Sequence, residues 1–514
     1  MGLRQLIQQN MRNYILLFVN GEQHRVTGSD AFLTLSDFIR LRLKLCGTKI
    51  VCSEGDCGSC SVLCGKLTDG NDAVEYLAID SCIRFVFQLD GCHIVTVEGL
   101  AGAGLNGNSS FSSNCKEQAA LNGVQQAMID CHGSQCGFCT PGFVVAMTGV
   151  LEQNDSPTVD DWRHGLTGNL CRCTGYSPII AAGGKSNRQN TPRINSIYSC
   201  EPMCSAVEPV QNDPIQIETG EGSGRKLVCS PTVVSQATDF LAQHPESEIV
   251  AGATDVGVRY NKGHCDANIW LDLNRVADLE GVELVTDAGS ESIVAGARAT
   301  WHQLEQLTRE SAPQFHEIIS IFGSPQIRHV GTIGGNIINA SPIADSIPFL
   351  FICDAEMELQ SQSGTRTVSI NDFYTGYKQF DLQPGELLTR VRIPLPAGDT
   401  QLRLYKVSRR RDLDISTFTA AIAITTNETN AGQIESASIA YGAVGPVVLR
   451  LPKTEQFLVG KPFSVDTMQA AGDVAVDEIT PITDVRGGQE FRLHLARNVL
   501  VKFYHEVTSQ GVSV

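Results

Sequence analysis

"CSEGDCGSC", residues 52–60, puts Cys52, Cys57 and Cys60 in C-x4-C-x2-C spacing within nine residues. Gly55 and Gly58 lie between the sulfurs, where residues free to adopt φ > 0 let a loop wrap and turn its amides towards a thiolate cluster. Cys82, in "DSCI", is the fourth thiol of the set. This spacing suits a [2Fe–2S] centre. A structural zinc site is the alternative, and it favours paired C-x2-4-C knuckles over this unequal pattern.

Downstream, "QCGFCTPG" supplies Cys136 and Cys139, and after 31 intervening residues "GNLCRCTGY" supplies Cys171 and Cys173. In an extended C-x-C the two side chains point the same way, so both thiols aim at one spot. By itself this second set fits zinc or iron–sulfur. Beside a first cluster it reads as the second station of a two-centre relay.

The bulk composition agrees with a metal role for these thiols. The chain has 514 residues, enough for three or four domains. Thirteen of its 18 cysteines precede residue 175. No secretory signal, myristoylation pattern or membrane-length apolar run is present, so a reducing, cytoplasmic setting is expected, where clustered cysteines serve as ligands rather than disulfides. A net charge of −17 argues against nucleic acid or an anionic membrane as partner. The remaining ten cysteines read as buried or solvated free thiols, with Cys200 and Cys204 a C-x3-C pair in a linker.

Local signals fill in the elements. "YILLFVNGEQHRV" predicts two strands around an Asn20-Gly21 hairpin turn. Thr34 or Ser36 caps a short helix, and "HIVTVEGL" closes the first unit as a strand. "SNCKEQAALNGVQQAMIDC" and "TPGFVVAMTGVLEQN" predict helices, the second with Pro141 in its first turn after Thr140. Residues 184–222 are polar and breaker-rich, as in a linker. An alternating α/β region follows to about 397, and then strands such as "AAIAITT" and "SASIAYGAV" with late helices.

Two glycine-containing stretches stand out in the α/β region: "EIVAGATDVGV" (248–258) and "VGTIGGNIINASPIADSIP" (330–348). Gly331, Gly334 and Gly335 do not match the G-x-G-x-x-G spacing of a Rossmann turn. Such turns can still cradle a diphosphate through backbone amides, though tight turns in a mixed sheet explain them equally.

Together, "CSEGDCGSC…SC" and "QCGFCTPG…GNLCRCTGY" resemble the iron–sulfur segment of the xanthine dehydrogenase/aldehyde oxidase family of molybdenum hydroxylases. The resemblance implies a multidomain α+β chain. A ferredoxin-like β-grasp [2Fe–2S] domain would span 14–100, a four-helix-bundle [2Fe–2S] domain 101–183 and a linker 184–222. An FAD-binding domain of the vanillyl-alcohol-oxidase type would occupy 223–397, and a C-terminal flavoprotein domain 398–514. It implies cluster ligation by Cys52, Cys57, Cys60, Cys82, Cys136, Cys139, Cys171 and Cys173. It also implies FAD contacts from Ile249, Val250, Ala251, Gly252, Ala253, Thr254, Asp255 and Val256, from Phe322, and from Thr332, Ile333, Gly334, Gly335 and Asn336. Asp345, Leu388 and Lys406 would add later contacts. His329 and Gly331 stand where the family usually has asparagine and alanine. The Arg409–Arg411 run reads as a solvated face.

No molybdopterin-binding region is recognisable, so the resemblance is to the small, electron-transfer subunit of bacterial xanthine-oxidising enzymes. It implies a molybdopterin-bearing large subunit, two copies of each chain, and NAD⁺ as acceptor, with O₂ the alternative in an oxidase form. No side chain here is then needed as an acid–base catalyst. A relative acting on aldehydes or N-heterocycles, a stand-alone NADH diaphorase and a zinc-stabilised scaffold are the competing readings.

Overall fold

The structure is a computed structural model that describes residues 11–68, 70, 73–101, 121–427 and 432–509. The chain divides into two compact units, residues 1–277 with 324–331, and residues 278–323 with 332–514. The first unit thus runs past the expected boundary near residue 222 and takes back eight residues from later in the chain.

Its N-terminal sheet comprises β1 (Ile15–Val19), β2 (Glu22–Val26), β3 (Ser61–Leu67), β4 (Val74–Asp80) and β5 (Cys92–Val95), in the order β2-β1-β5-β3-β4. β1 and β5 run parallel and the other pairs antiparallel. Asn20 and Gly21 form the expected hairpin turn, both at positive φ. The unbroken apolar run of β1 has a simple cause: both faces of the strand are covered. Side chains alternate, so Ile15, Leu17 and Val19 enter a core shared with Val228, Val250 and Trp270. Leu16 and Phe18 face the opposite way, into a core shared with Val144, Met147 and Trp162 of the helical region. Each such burial contributes about 1.5–3 kcal/mol.

Four helices follow: α1 (Gly123–Asp130), α2 (Thr140–Gln153), α3 (Val159–Gly165) and α4 (Ser177–Lys185). Asn122 caps α1 and Thr158 caps α3, each in a reciprocal box with the residue three positions on. Pro141 sits in the first turn of α2 as expected. Cys115 and the start of the "SNCKEQ" segment lie outside the described residues.

The stretch 184–222 is more ordered than its composition suggests. It holds helices Ile194–Ile197 and Glu201–Val207 and the strand β6 (Ile215–Thr219). β6 pairs with β7 (Lys226–Ser230), and β7 and β8 (Glu248–Val250) both flank β9 (Ile269–Asp272) in parallel. Ile194, Met203, Ile215 and Ile217 are buried, so each apolar residue of this polar stretch is spent on packing.

The second unit contains a five-stranded antiparallel sheet and a four-stranded antiparallel sheet, with Phe315 stacked on Phe349 in the core of the first. The four-stranded sheet (Gln401–Val407, Phe418–Asn427, Gln433–Gly442, Leu449–Arg450) carries the helices Val465–Asp477 and Gln489–Ser509. Among the described residues no helix is long and apolar enough to cross a membrane.

Candidate iron–sulfur centres and flavin turns

The loop 52–60 wraps as its glycines allow, with Ser53, Gly55 and Gly58 at positive φ. Gly58 has no alternative: a Cβ there would lie 2.3 Å from the carbonyl oxygen of Gly168. The wrapping brings Cys52, Cys57, Cys60 and Cys82 together. The thiols of Cys57 and Cys82 both point at Cys52 and pull it well below an ordinary thiol. Hydrogen bonding to Cys52 and Cys60, then burial, pushes Cys82 far up. The amide of Glu54 donates to Cys52 Sγ at 3.4 Å. Cys57, Cys60 and Cys82 are buried and Cys52 half-buried. Beside them Asp80, fully buried, lies 3.5 Å from Cys60 Sγ, and burial pushes its carboxyl up to about 7.

The second set forms at the start of α2. Cys136 and Cys173 meet at 3.7 Å between sulfurs. Burial and the neighbouring Cys171 push the Cys139 thiol up to about 12. The amide of Thr174 donates to Cys171 Sγ at 3.3 Å, and that of Cys171 to Tyr176 Oη at 3.0 Å. Cys136 and Cys173 are exposed.

In the first set the sulfurs form a chain, Cys57–Cys52–Cys82–Cys60, and in the second they form two pairs, Cys136–Cys173 and Cys139–Cys171. Among the described residues no three His, Cys, Asp or Glu side chains close on one point as a single ion requires. Two irons bound by four cysteine thiolates accept such a donor set, and oriented amides favour its negative charge. The residues fit a [2Fe–2S] cluster at each site.

The two loops touch. The amide of Leu170 donates to the carbonyl of Cys57 at 3.0 Å, and Asn169 Nδ2 to that of Gly58 at 3.0 Å. The segment Ser324–Gly331 docks at this junction. Buried Gln326 donates to Ser61 Oγ at 3.2 Å and to Asn169 Oδ1 at 2.9 Å, so it bridges a residue next to Cys60 and one two places before Cys171. Arg328 bonds His164 Nε2, and His329 Nδ1 donates to the carbonyl of Ala78. His329 therefore serves the ferredoxin-like sheet. None of these links has a spacing signature in the sequence.

The flavin residues expected from the sequence fall in both units. In the first unit, Ile249 and Val250 end β8, Ala251–Asp255 form a turn with Ala253 at φ +61°, and Val256 opens the helix Val256–Asn261. A Cβ on Gly252 would lie 2.3 Å from the carbonyl oxygen of Val330. Asp255 pairs with Arg259 at 3.0 Å.

In the second unit, Thr332 caps the helix Ile333–Asn339 by accepting from the amide of Gly335. Gly334 packs against the Ala297 backbone, and Asn336 accepts from Ser346 Oγ. Asp345 and Lys406, both buried, bond each other at 2.6 Å and share Ser416, so each neutralises the other. Phe322 packs edge-on against Trp301, and Leu388 is an inward residue of the core. Arg409 and Arg410 are exposed, with bonds to the carbonyls of Val485 and Leu413. Cys200 caps Glu201–Val207, its thiol against that of Cys204.

Comparison with known proteins bears on this arrangement directly. Residues 96–183 match the [2Fe-2S] binding domain, 221–396 the FAD binding domain in molybdopterin dehydrogenase, and 403–507 the CO dehydrogenase flavoprotein C-terminal domain. The three matched domains are of the kinds described for molybdopterin dehydrogenases and CO dehydrogenase flavoproteins, together with a [2Fe-2S] binding domain. Similar proteins include xanthine dehydrogenase of Drosophila subobscura (28% identical, 98% of this chain and 40% of the relative). Xanthine dehydrogenase 1 of Arabidopsis thaliana is 28% identical over 95% of this chain and 39% of its own length. Xanthine dehydrogenase/oxidase of Mus musculus is 29% identical over 95% and 38%. The chain spans about two fifths of the length of these curated relatives.

Among solved structures, a carbon monoxide dehydrogenase from Hydrogenophaga pseudoflava is similar at a TM-score of 0.50 and 25% identity, over 54% of this chain and 94% of that one. Quinoline 2-oxidoreductase from Pseudomonas putida 86 gives 0.49 and 26%, over 55% and 96%. By its domain matches the chain carries an FAD-binding and a [2Fe–2S]-binding domain.

Proposed function

We propose that this chain is the electron-transfer small subunit of a bacterial xanthine dehydrogenase. In this reading it links a molybdopterin-bearing partner subunit to FAD and NAD⁺ in the cytoplasm, with two copies of each chain. The cofactors supply the chemistry: each [2Fe–2S] cluster carries one electron at a time, and flavin pairs electrons for delivery as hydride. The chain's residues hold and insulate. Cys52, Cys57, Cys60 and Cys82 would ligate one cluster, and Cys136, Cys139, Cys171 and Cys173 the other. The turns at Ile249–Val256 and Thr332–Asn336, with Phe322, Asp345, Leu388 and Lys406, would serve FAD. No side chain is assigned an acid–base step.

The observation that carries this reading is the junction of the two cysteine loops. One backbone hydrogen bond, Leu170 to Cys57, separates them, which suits a relay and serves no purpose in two independent metal hooks. Exposure gives it direction. Cys136 and Cys173 are flanked by the exposed apolar side chains Phe138, Leu170 and Tyr176, a face for an electron-donating partner. The first set lies inside. The matches to xanthine dehydrogenases over nearly the whole chain favour xanthine as the partner's substrate and NAD⁺ as acceptor.

The test is native purification with analysis of metals and flavin, followed by xanthine-dependent NAD⁺ reduction. About four irons and one FAD per chain, with molybdenum on a co-purifying large subunit, are expected. Zinc in place of iron overturns the relay, and turnover of aldehydes or N-heterocycles but not xanthine overturns the substrate assignment.

A further inference from the structure

Arg84 stands two residues after Cys82, buried, and its side chain leaves the ferredoxin-like sheet for the turn that follows β8. Its Nη1 donates to the carbonyls of both Ala251 (3.1 Å) and Gly252 (3.0 Å). Gln88 Nε2 reaches the same Ala251 oxygen at 2.8 Å, and Asn274 Nδ2 reaches it at 2.9 Å. A carbonyl oxygen has two lone pairs, yet this one receives three side-chain donors. Asn274 is itself held by the buried carboxylate of Asp272, which also accepts from Ser230.

Two successive carbonyls drawn towards one guanidinium nitrogen require a curled backbone, since in an extended one they alternate. The left-handed Ala253 continues the curl. Oxygens gathered on one side leave the intervening amides on the other, the concave arrangement that binds anions. Among the described residues the amides of Gly252 to Asp255 donate to no backbone acceptor.

The turn is also fastened to the first cysteine set. Asn261 Nδ2 donates to the carbonyls of Cys82 (2.8 Å) and Ser53 (3.0 Å), and Lys262 pairs with Glu54 at 2.6 Å. A Cβ on Gly257 would lie 2.3 Å from the Ile83 oxygen, so the helix after the turn rests directly on the residue next to Cys82.

We propose that Arg84, helped by Gln88 and Asn274, is a positioning residue that shapes the turn Ala251–Asp255 for the FAD diphosphate and thereby ties flavin affinity to the first cysteine segment. The proposal rests on the FAD reading above. Its test is FAD affinity of the purified full chain, measured by flavin fluorescence, together with the phosphorus NMR of bound FAD. Arg84→Met is expected to weaken FAD by at least about tenfold, as the loss of charge-assisted hydrogen bonds implies. It should displace the diphosphate resonances while iron content and the visible circular dichroism of the clusters stay as in wild type. Arg84→Lys, keeping the charge but not the fork, should fall between.

Wild-type affinity and unchanged phosphorus shifts in both variants overturn the proposal. Should Arg84→Met fail to fold, Gln88→Leu decides: it removes one donor of three, and a loss of about two- to fivefold supports the proposal, whereas no loss overturns it. A wild-type chain that binds no FAD overturns the flavin reading instead, a separate outcome.

Discussion

The two cysteine sets each hold four sulfurs and differ in nearly everything else. The first is enclosed: three of its four sulfurs are buried, Asp80 and Ile83 close in on it, and Asn261 and Gln326 bond to its neighbouring backbone and side chains. The second sits at a helix start with Cys136 and Cys173 open to solvent and apolar side chains around them. Enclosure suits an internal station, whose properties are set by burial and hydrogen bonds to sulfur. Exposure suits a terminal that another molecule must approach.

The largest effect that could break this contrast is ligand removal. Cys60→Ser should cost the first cluster and the packing around it, with iron falling from about four to about two per chain and the melting temperature dropping by about 10 °C. Cys173→Ser should cost as much iron with a drop of no more than about 3 °C. Iron analysis with calorimetry checks both, and equal thermal losses would erase the distinction.

Acid offers a second lever on the enclosed side. His93 is buried in β5, where its Nε2 accepts from the Gly21 amide and its Nδ1 meets Tyr76 Oη, and burial lowers its pKa to about 4. A folded-state pKa below the unfolded value of about 6.5 means that the stability is fully present above pH 6.5 and is lost as pH falls towards 4. His93 accounts for a loss of about 3 kcal/mol across that window. It is read as the difference between wild type and His93→Asn, because Asp80, raised to about 7, titrates there with the opposite sign. Denaturant titrations of both proteins at pH 7 and pH 4 measure it.

A smaller effect tests the bridge between the centres. Gln326→Leu leaves Asn169 Oδ1 and Ser61 Oγ without their donor, a cost of about 2 kcal/mol in denaturant unfolding. Smallest of all, Phe138→Ser on the exposed side should leave stability within about 0.5 kcal/mol of wild type. The same variant should weaken retention of the proposed partner subunit by about tenfold, read by co-purification. A stability loss comparable to Gln326→Leu would mean that Phe138 belongs to the core rather than to a docking face.

Much of this was legible beforehand, for definite reasons. Cysteine spacing is a local signal, so two sets of four sulfurs could be proposed from the sequence, and the structure brings the members of each set together. The Asn20-Gly21 hairpin, the Thr34 cap and Pro141 in the first turn of α2 are likewise local signals. What could not be read depends on contacts between distant residues. Arg84 and Ala251 are 167 positions apart and Gln326 and Ser61 are 265 apart, and a single amide or guanidinium in a loop leaves no periodic trace. The 184–222 stretch misled for a related reason: its few apolar residues are spaced irregularly because each packs against a different neighbour. Asp345 and Lys406, expected as separate flavin contacts, also bond each other, a pairing that a separation of 61 positions hides from the sequence.

The return of Ser324–Gly331 to the first unit has a consequence for biosynthesis. A ribosome that has made 277 residues has made every cysteine of both sets but not the segment that fills the slot between them. That piece emerges only after a further stretch of the other unit has been synthesised. The bridge from Gln326 to Ser61 and Asn169 is therefore absent until that later piece has been made.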